Sequence, residues 1–85
     1  MKVIIPSQLR SYTQSSEAQA HGATLGELLL DLERQYPGFR FRMVNEQDAI
    51  REHIRVFINS EVASGLDTPL QPDDVVRIIG ALSGG

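Results

Sequence analysis

The sequence predicts a single α+β domain in which one long helix packs across one face of a β-sheet. Two strand-like segments precede a leucine-striped helix and further strand-like segments follow it, in the order β-β-α-β-(β)-β. A chain of 85 residues is long enough for one modest hydrophobic core. Its 41% hydrophobic and 22% charged content is typical of a globular protein and not of a disordered one.

The N-terminal region predicts a hairpin of two strands. Residues 2–5 predict a short strand that ends at Pro6. Alternation along this strand places Ile4 on the face opposite to Val3. The polar stretch 15–21 is interpreted as a second strand that pairs with the first.

The helix has the clearest local signal. Thr24 and Glu27 have the spacing of a capping box, in which each side chain bonds a backbone N–H at the start of the helix. Apolar residues then recur with helical periodicity and predict the face that packs against the sheet: Leu25, Leu28, Leu29, Leu32 and Tyr36. Pro37-Gly38 ends the helix.

The region after the helix predicts one strand with irregular segments before it. Phe39 and Met43 are expected to complete the core. Residues 45–48 are interpreted as an exposed loop or a short helical turn. Residues 54–58 alternate as a strand, and a turn follows before Val62.

The last predicted strand, residues 75–81, is the most apolar and is expected to be central in the sheet. Residues 67–70 before it suggest a short helical turn with Leu70 in the core, and residues 71–74 have turn composition. If the first and last strands are neighbours, they are parallel.

Composition excludes several classes of function. A net charge of -3 and a pI near 5.2 argue against a nucleic-acid partner. No apolar run approaches the ~20 residues of a membrane span, and no signal peptide is recognised, so no membrane partner is expected. The absence of cysteine excludes thiolate metal sites and favours a cytoplasmic location. His21 and His53 have no companions at ligand spacing, so no metal is expected.

The C-terminal residues Ser83-Gly84-Gly85 are the strongest functional signal. Glycine lets a backbone pass where a Cβ atom would clash. A terminus of this kind, directly after an apolar strand, could enter a narrow channel and present the Gly85 carboxylate to another enzyme.

Taken together, these motifs resemble the ubiquitin-like β-grasp sulfur carriers of the ThiS/MoaD group, and most of all the carriers of cysteine and siderophore biosynthesis. The similar segments span essentially the whole chain: Ile5-Pro6, Thr24-Leu25-Gly26-Glu27, residues 54–59, Pro72-Asp73-Asp74-Val75, and Ala81-Leu82-Ser83-Gly84-Gly85. The chain departs from the common pattern at Gly80, where many members have proline, and at Leu82-Ser83.

The resemblance implies a ubiquitin-like β-grasp fold with a mixed sheet of four or five strands and one main helix on one face. It implies a globular domain over residues 1–81 and a flexible tail over 82–85. It also implies that an E1-like adenylating enzyme uses ATP to activate the Gly85 carboxylate beside Gly84. A sulfur donor then forms a thiocarboxylate, and an acceptor biosynthetic enzyme takes the sulfur. The chain would be a carrier without a cofactor of its own, and not an enzyme.

Strand parity predicts a partner-binding surface on the sheet face away from the helix. Its members are Ile4, Arg55, Phe57, Arg77 and Ile79, with Leu82 and Ser83 at the root of the tail. Exposed apolar patches mark interaction sites in small domains. The alternatives are ordinary surface apolarity or coverage of this face by residues 39–43.

Two other functions use the same fold. A protein modifier would be conjugated to lysine through Gly85, and a non-catalytic β-grasp subunit of a larger enzyme would have an inert tail. The sulfur acceptor (cysteine, siderophore, thiamine or molybdopterin type), and any trimming of a precursor after Gly85, stay open.

Overall fold

The computed structural model describes residues 1–80, and the predicted tail lies outside the described residues. The strands are β1 (Lys2–Ile4), β2 (Glu17–Gln19), β3 (Ile54–Ile58), β4 (Glu61–Val62) and β5 (Val75–Gly80). The helices are a 3-10 turn (Ser7–Leu9), α1 (Arg10–Thr13), α2 (Leu25–Gln35) and α3 (Phe39–Met43).

The five strands form one mixed sheet in the order β2-β1-β5-β3-β4. β1 and β5 are parallel, and the three other contacts between neighbouring strands are antiparallel. This confirms the predicted mixed sheet, the central place of the last strand and its parallel contact with the first.

The predicted cap of α2 is present with one difference. The Thr24 hydroxyl accepts from the Glu27 N–H at 3.3 Å, as expected. The Glu27 carboxylate accepts from the N–H of Ala23, not of Thr24, at 3.0 Å. Two more N–H groups of the first turn, of Leu25 and Gly26, donate to carbonyls of the loop before β5, so this helix end is closed by chain distant in sequence.

The core lies between α2 and the inner face of the sheet. The leucines of the predicted stripe are fully buried, whereas Tyr36 at the end of α2 is only partly buried. The predicted contribution of Phe39 and Met43 is confirmed, since both are fully buried in the same cluster. The buried side chains of the sheet are Val3, Ala18, Ile54, Val56, Val76 and Ile78.

The helical turn predicted for residues 67–70 is wrong. The segment bends at Gly65, whose carbonyl accepts from the Thr68 N–H at 3.2 Å, and Pro69 then forms a bridge with Thr24. The carbonyl of Thr68 accepts from the Leu25 N–H at the start of α2, at 2.9 Å. Leu70 is buried, as expected.

Residues 7–13 form two short helical elements that the sequence did not predict. β1 ends at Ile4, one residue earlier than predicted, and the 3-10 turn and α1 follow Pro6. Leu9 and Thr13 are the buried residues of this segment. The connection passes close to the end of β5, where the Gln8 amide contacts the Gly80 carbonyl.

Candidate functional site

The face of the sheet away from α2 is assembled by strand register. Arg77 on β5 is opposite Ile4 on β1 and opposite Phe57 on β3. Phe57 is in turn opposite Val62 on β4. Residues directly opposite on neighbouring strands share a face, so these four side chains form a row across four strands.

A second pair lies nearer the end of β5. Ile79 is opposite Arg55 and is 41% exposed. The intervening residues Val76 and Ile78 are buried on the other side. The predicted division of the strands into an inner and an outer face is thereby confirmed. We call the set Ile4, Arg55, Phe57, Val62, Arg77 and Ile79 the outer face.

The segment after α2 does not cover the outer face. Phe39 and Met43, the buried residues of α3, belong to the core on the helix side. Ile79 and Val62 are exposed, while Ile4 and Phe57 are half-buried. The alternative in which residues 39–43 cover this surface is therefore wrong.

The two arginines of the outer face have different surroundings. Arg55 donates from Nη1 to the carbonyls of Glu52 at 2.8 Å and of Ile54 at 3.2 Å, which directs its guanidinium toward the loop before β3. Arg77 is exposed and makes no ion pair among the described residues. A cation beside apolar side chains is the composition enriched at binding hot spots, although its contact with a partner stays a prediction.

Two further exposed apolar side chains lie on the helices. Leu30 on α2 is exposed, and so is Phe41 on α3. The guanidinium of Arg51 lies 4.6 Å from the centre of the Phe41 ring and its Nε donates to the Phe41 carbonyl at 2.8 Å. One face of this ring is therefore already occupied by a cation.

The carboxylates with lowered pKa values all accept hydrogen bonds from other parts of the fold. The pKa of Asp31 is lowered mainly by its bond from Arg34, and that of Glu33 by the backbone N–H groups of Gly38 and Arg40. The pKa of Asp74 is lowered by the Gln71 N–H and the Asn59 amide. Each of these three pKa values is lowered mainly by hydrogen bonds within the fold.

Neither histidine belongs to a group of side chains that could hold a metal ion in the described part of the chain. His21 and His53 are both exposed. Within residues 1–80, no group of three His, Asp or Glu side chains is placed to hold a metal ion. None of the helices in that range is long and apolar enough to cross a membrane.

Val62 is an outer-face residue that was not predicted from the sequence. A two-residue turn, with Asn59 in the left-handed region at φ 58°, pairs Ile58 with Glu61 and Phe57 with Val62. The short turn was the available signal, because it fixes which residues are opposite one another.

Gln8 was also missed. Its Nε2 donates to the Gly80 carbonyl at 3.0 Å, across 72 positions of sequence. No local pattern could have indicated this contact. The predicted site residues Leu82, Ser83, Gly84 and Gly85 lie outside the described residues, and Gly80 is the last one described before them.

The five-stranded mixed sheet with α2 across its inner face defines a ubiquitin-like β-grasp protein, here of the sulfur-carrier class. The chain belongs to the ThiS family, whose model matches residues 3–85.

The similar proteins agree with this assignment. The chain is 33% identical over 89 residues to the sulfur carrier protein CysO of Mycobacterium tuberculosis, with 98% of this chain and 96% of that protein covered. It superposes with a TM-score of 0.90 and 32% identity on a chain of the crystal structure of the Amycolatopsis orientalis BexX/CysO complex, covering 99% and 98% of the two chains. It is also similar to the small archaeal modifier protein 1 (SAMP1) of Methanosarcina acetivorans, with a TM-score of 0.82, 26% identity, and 99% and 94% coverage. The resemblance found in the sequence is confirmed.

Proposed function

We propose that this chain carries sulfur as a thiocarboxylate on Gly85. The observation that supports the proposal most directly is that the match to the ThiS family model extends through residue 85 and so includes the two terminal glycines. The globular domain is then a rigid mount that an enzyme holds while it acts on the C-terminal carboxylate.

The chemistry proceeds in two displacements. The ionised α-carboxylate of Gly85 attacks the α-phosphate of ATP in an E1-like adenylating enzyme, and pyrophosphate leaves. A hydrosulfide equivalent from a sulfur donor then attacks the acyl carbon and AMP leaves, which produces the thiocarboxylate. An acceptor biosynthetic enzyme takes the sulfur. This chain provides the reacting carboxylate and no cofactor, and the partner binds ATP.

The outer face is the proposed contact with the adenylating enzyme. It combines the half-buried Phe57, the exposed Ile79 and the exposed cation Arg77, which makes no ion pair within residues 1–80, on the strand that leads to the tail. CysO of Amycolatopsis orientalis has been crystallised in complex with BexX, which supports a protein partner for this fold. A cytoplasmic location and the lack of nucleic-acid and membrane partners stay predictions.

The absence of cysteine allows a specific test. The purified chain is incubated with a recombinant E1-like enzyme of the same organism, ATP and sulfide, and analysed by intact-mass spectrometry. Oxidation of Met1 or Met43 adds nearly the same mass as exchange of oxygen for sulfur. A thiol-reactive alkylating probe separates the two, because a chain without cysteine has no other thiol. We expect one probe per chain, located on the Gly85 fragment.

The matched control lacks Gly84 and Gly85. We expect this variant to melt at the same temperature as the wild type, because terminal residues contribute little to stability, and to remain unlabelled. Absence of label on the wild type, with an enzyme that consumes ATP in the presence of the chain, would contradict thiocarboxylate formation.

A protein modifier is the second candidate, supported by the similarity to SAMP1. It shares the activation step but ends in an isopeptide bond between Gly85 and a lysine of another protein. Mass-spectrometric detection of lysine-linked conjugates that retain Gly85 would favour it. The chain has one lysine, Lys2, so a Lys2→Arg variant separates conjugation to other proteins from self-conjugation through a lysine.

An inert β-grasp subunit is the remaining alternative. In that case the variant without Gly84 and Gly85 would retain full function in its complex.

A further inference from the structure

The end of β5 extends beyond its neighbour β1. Register pairs Ile4, the last residue of β1, with Arg77. β5 continues for three more residues to Gly80, which is opposite Ile54 of β3 on its other side. The flank of β5 that faces β1 therefore loses its strand partner near the point where the tail begins.

The carbonyl of Gly80 points to that open flank. The backbone bond from Asn59 N to Val75 O, 2.8 Å long, shows that Val75 faces β3. In an antiparallel pair, every second residue turns its N–H and C=O toward the same neighbour. Because Gly80 lies an odd number of residues after Val75, its carbonyl is directed away from β3 and toward the β1 side.

The side-chain amide of Gln8 supplies the hydrogen-bond donor that a neighbouring strand would otherwise provide at this position. The 3-10 turn Ser7–Leu9 follows the end of β1 and brings the Gln8 amide to 3.0 Å from the Gly80 carbonyl. Only the N–H side of the amide can approach a carbonyl oxygen so closely. The other side, Oε1, faces the Ser7 hydroxyl at 3.5 Å, which is consistent with this orientation.

Gly80 and Gln8 are also complementary in shape. A Cβ atom at Gly80 would lie 3.2 Å from Cδ and 3.3 Å from both polar atoms of the Gln8 amide. A side chain at position 80 would therefore crowd the Gln8 amide, whose Nε2 donates to the Gly80 carbonyl.

We infer that Gln8 is a positioning residue for the C-terminal carboxylate: by bonding the Gly80 carbonyl, it fixes the direction in which the chain leaves the sheet toward Gly85. This inference rests on the proposed function. Without the bond from Gln8, the carrier would still bind its enzyme with normal affinity. Its C-terminal carboxylate would then occupy the reactive position less often, because the direction of the chain at residue 80 would no longer be fixed.

The test compares Gln8→Glu and Gln8→Ala with the wild type in ATP–pyrophosphate exchange by the recombinant E1-like enzyme. Gln8→Glu keeps the size of the side chain and removes the donor. Loss of one exposed hydrogen bond predicts a fall in kcat of about threefold to tenfold with KM for the carrier unchanged. Gln47→Ala is the control, because Gln47 is an exposed glutamine whose side chain makes no hydrogen bond among the described residues.

Two further measurements separate positioning from other roles. In Gln8→Glu, the carbonyl ¹³C resonance of Gly80 is expected to shift while the melting temperature stays unchanged. Gly80→Ala is expected to lower kcat like the Gln8 variants, and the double variant Gln8→Ala/Gly80→Ala to be no slower than the slower single one, because both changes remove the same contact.

The outcomes are distinguishable. Exchange by the wild type with unchanged kcat in Gln8→Glu would overturn the inference and leave the proposed function standing. A rise in KM with unchanged kcat would also overturn it, since Gln8 would then be a docking contact. No exchange with the wild type would contradict the proposed function itself, and an unmoved Gly80 resonance in Gln8→Glu would still overturn the inference independently of any enzyme.

Discussion

Gly22 illustrates how one residue fixes the entry of the chain into α2. A Cβ atom at this position would lie 2.4 Å from the backbone nitrogen of Leu28 and 2.8 Å from the carbonyl carbon of Glu27. Both are backbone atoms of the first helical turns and cannot rotate away. Only a residue without a side chain allows the chain to pass so close to the helix.

We predict that Gly22→Ala lowers the free energy of unfolding by about 1–3 kcal/mol, the usual cost of forcing extra atoms into a packed site. Urea denaturation followed by circular dichroism measures the change. Gly65→Ala is the matched control, because the added Cβ would meet only the flexible Asp67 carboxylate, at 3.3 Å. Equal midpoints for the two variants would show that the chain at residue 22 can move aside.

Glu33 links two elements, α2 and α3. Its carboxylate accepts from the backbone N–H groups of Gly38 and Arg40, each at 2.9 Å, and so connects the end of α2 to the first turn of α3. These bonds, that of Gly38 first, hold the pKa of Glu33 below its ordinary value of 4.5. A carboxylate with a lowered pKa stabilises the fold above its unfolded-state pKa, and the contribution disappears as the pH falls through the folded-state pKa.

The pH dependence follows from this sign. We predict that Glu33→Gln melts below the wild type at neutral pH, and that the difference narrows as the pH falls below 4.5 and through the lower folded-state pKa of Glu33, because the wild-type carboxyl then becomes protonated as well. Thermal unfolding of both proteins across this range is the measurement. Glu46→Gln, at an exposed position of the 45–48 turn, is the control. A difference that stays constant down to the acid limit would mean that the contact does not depend on the charge of Glu33.

The long elements were predictable from the sequence and the short ones only in part. α2, β3 and β5 are each long enough to show the hydrophobic period of a helix or of a strand. β2 has three residues, of which only Ala18 is buried. Its position is fixed by bonds to distant backbone, from the Ile5 N–H to the Ser16 carbonyl at 2.8 Å and between Met1 and Ala20.

The same distinction applies to the site. Parity within a strand predicted the outer face, because alternation is a local property. The Gln8–Gly80 contact joins two parts of the chain that meet only after β1 and β5 have paired, so no local pattern contained it. The loop before β5 was mistaken for a helical turn for the same reason, since its carbonyls are used by the start of α2.

At the scale of the whole molecule, the two faces of the sheet have separate roles. The inner face holds the domain together against α2, with side chains such as Val76 and Ile78 almost completely buried. The outer face alternates with it along the same strands and leaves Arg77 and Ile79 in solvent. Substitutions on the two faces should therefore affect different properties.

We predict that Phe57→Ala weakens binding to the adenylating enzyme by about 1 kcal/mol or more, roughly fivefold in Kd, as for an aromatic residue within an interface. Leu28→Ala, in the core, should instead lower stability by about 2–5 kcal/mol and leave the Kd of the folded protein unchanged. Calorimetric titration and urea denaturation of both variants separate the two effects. If Leu28→Ala does not fold, Ile78→Val is a milder core change on β5. Unchanged Kd in Phe57→Ala would remove Phe57 from the proposed interface, while a loss of stability as large as that of Leu28→Ala would assign it to the core.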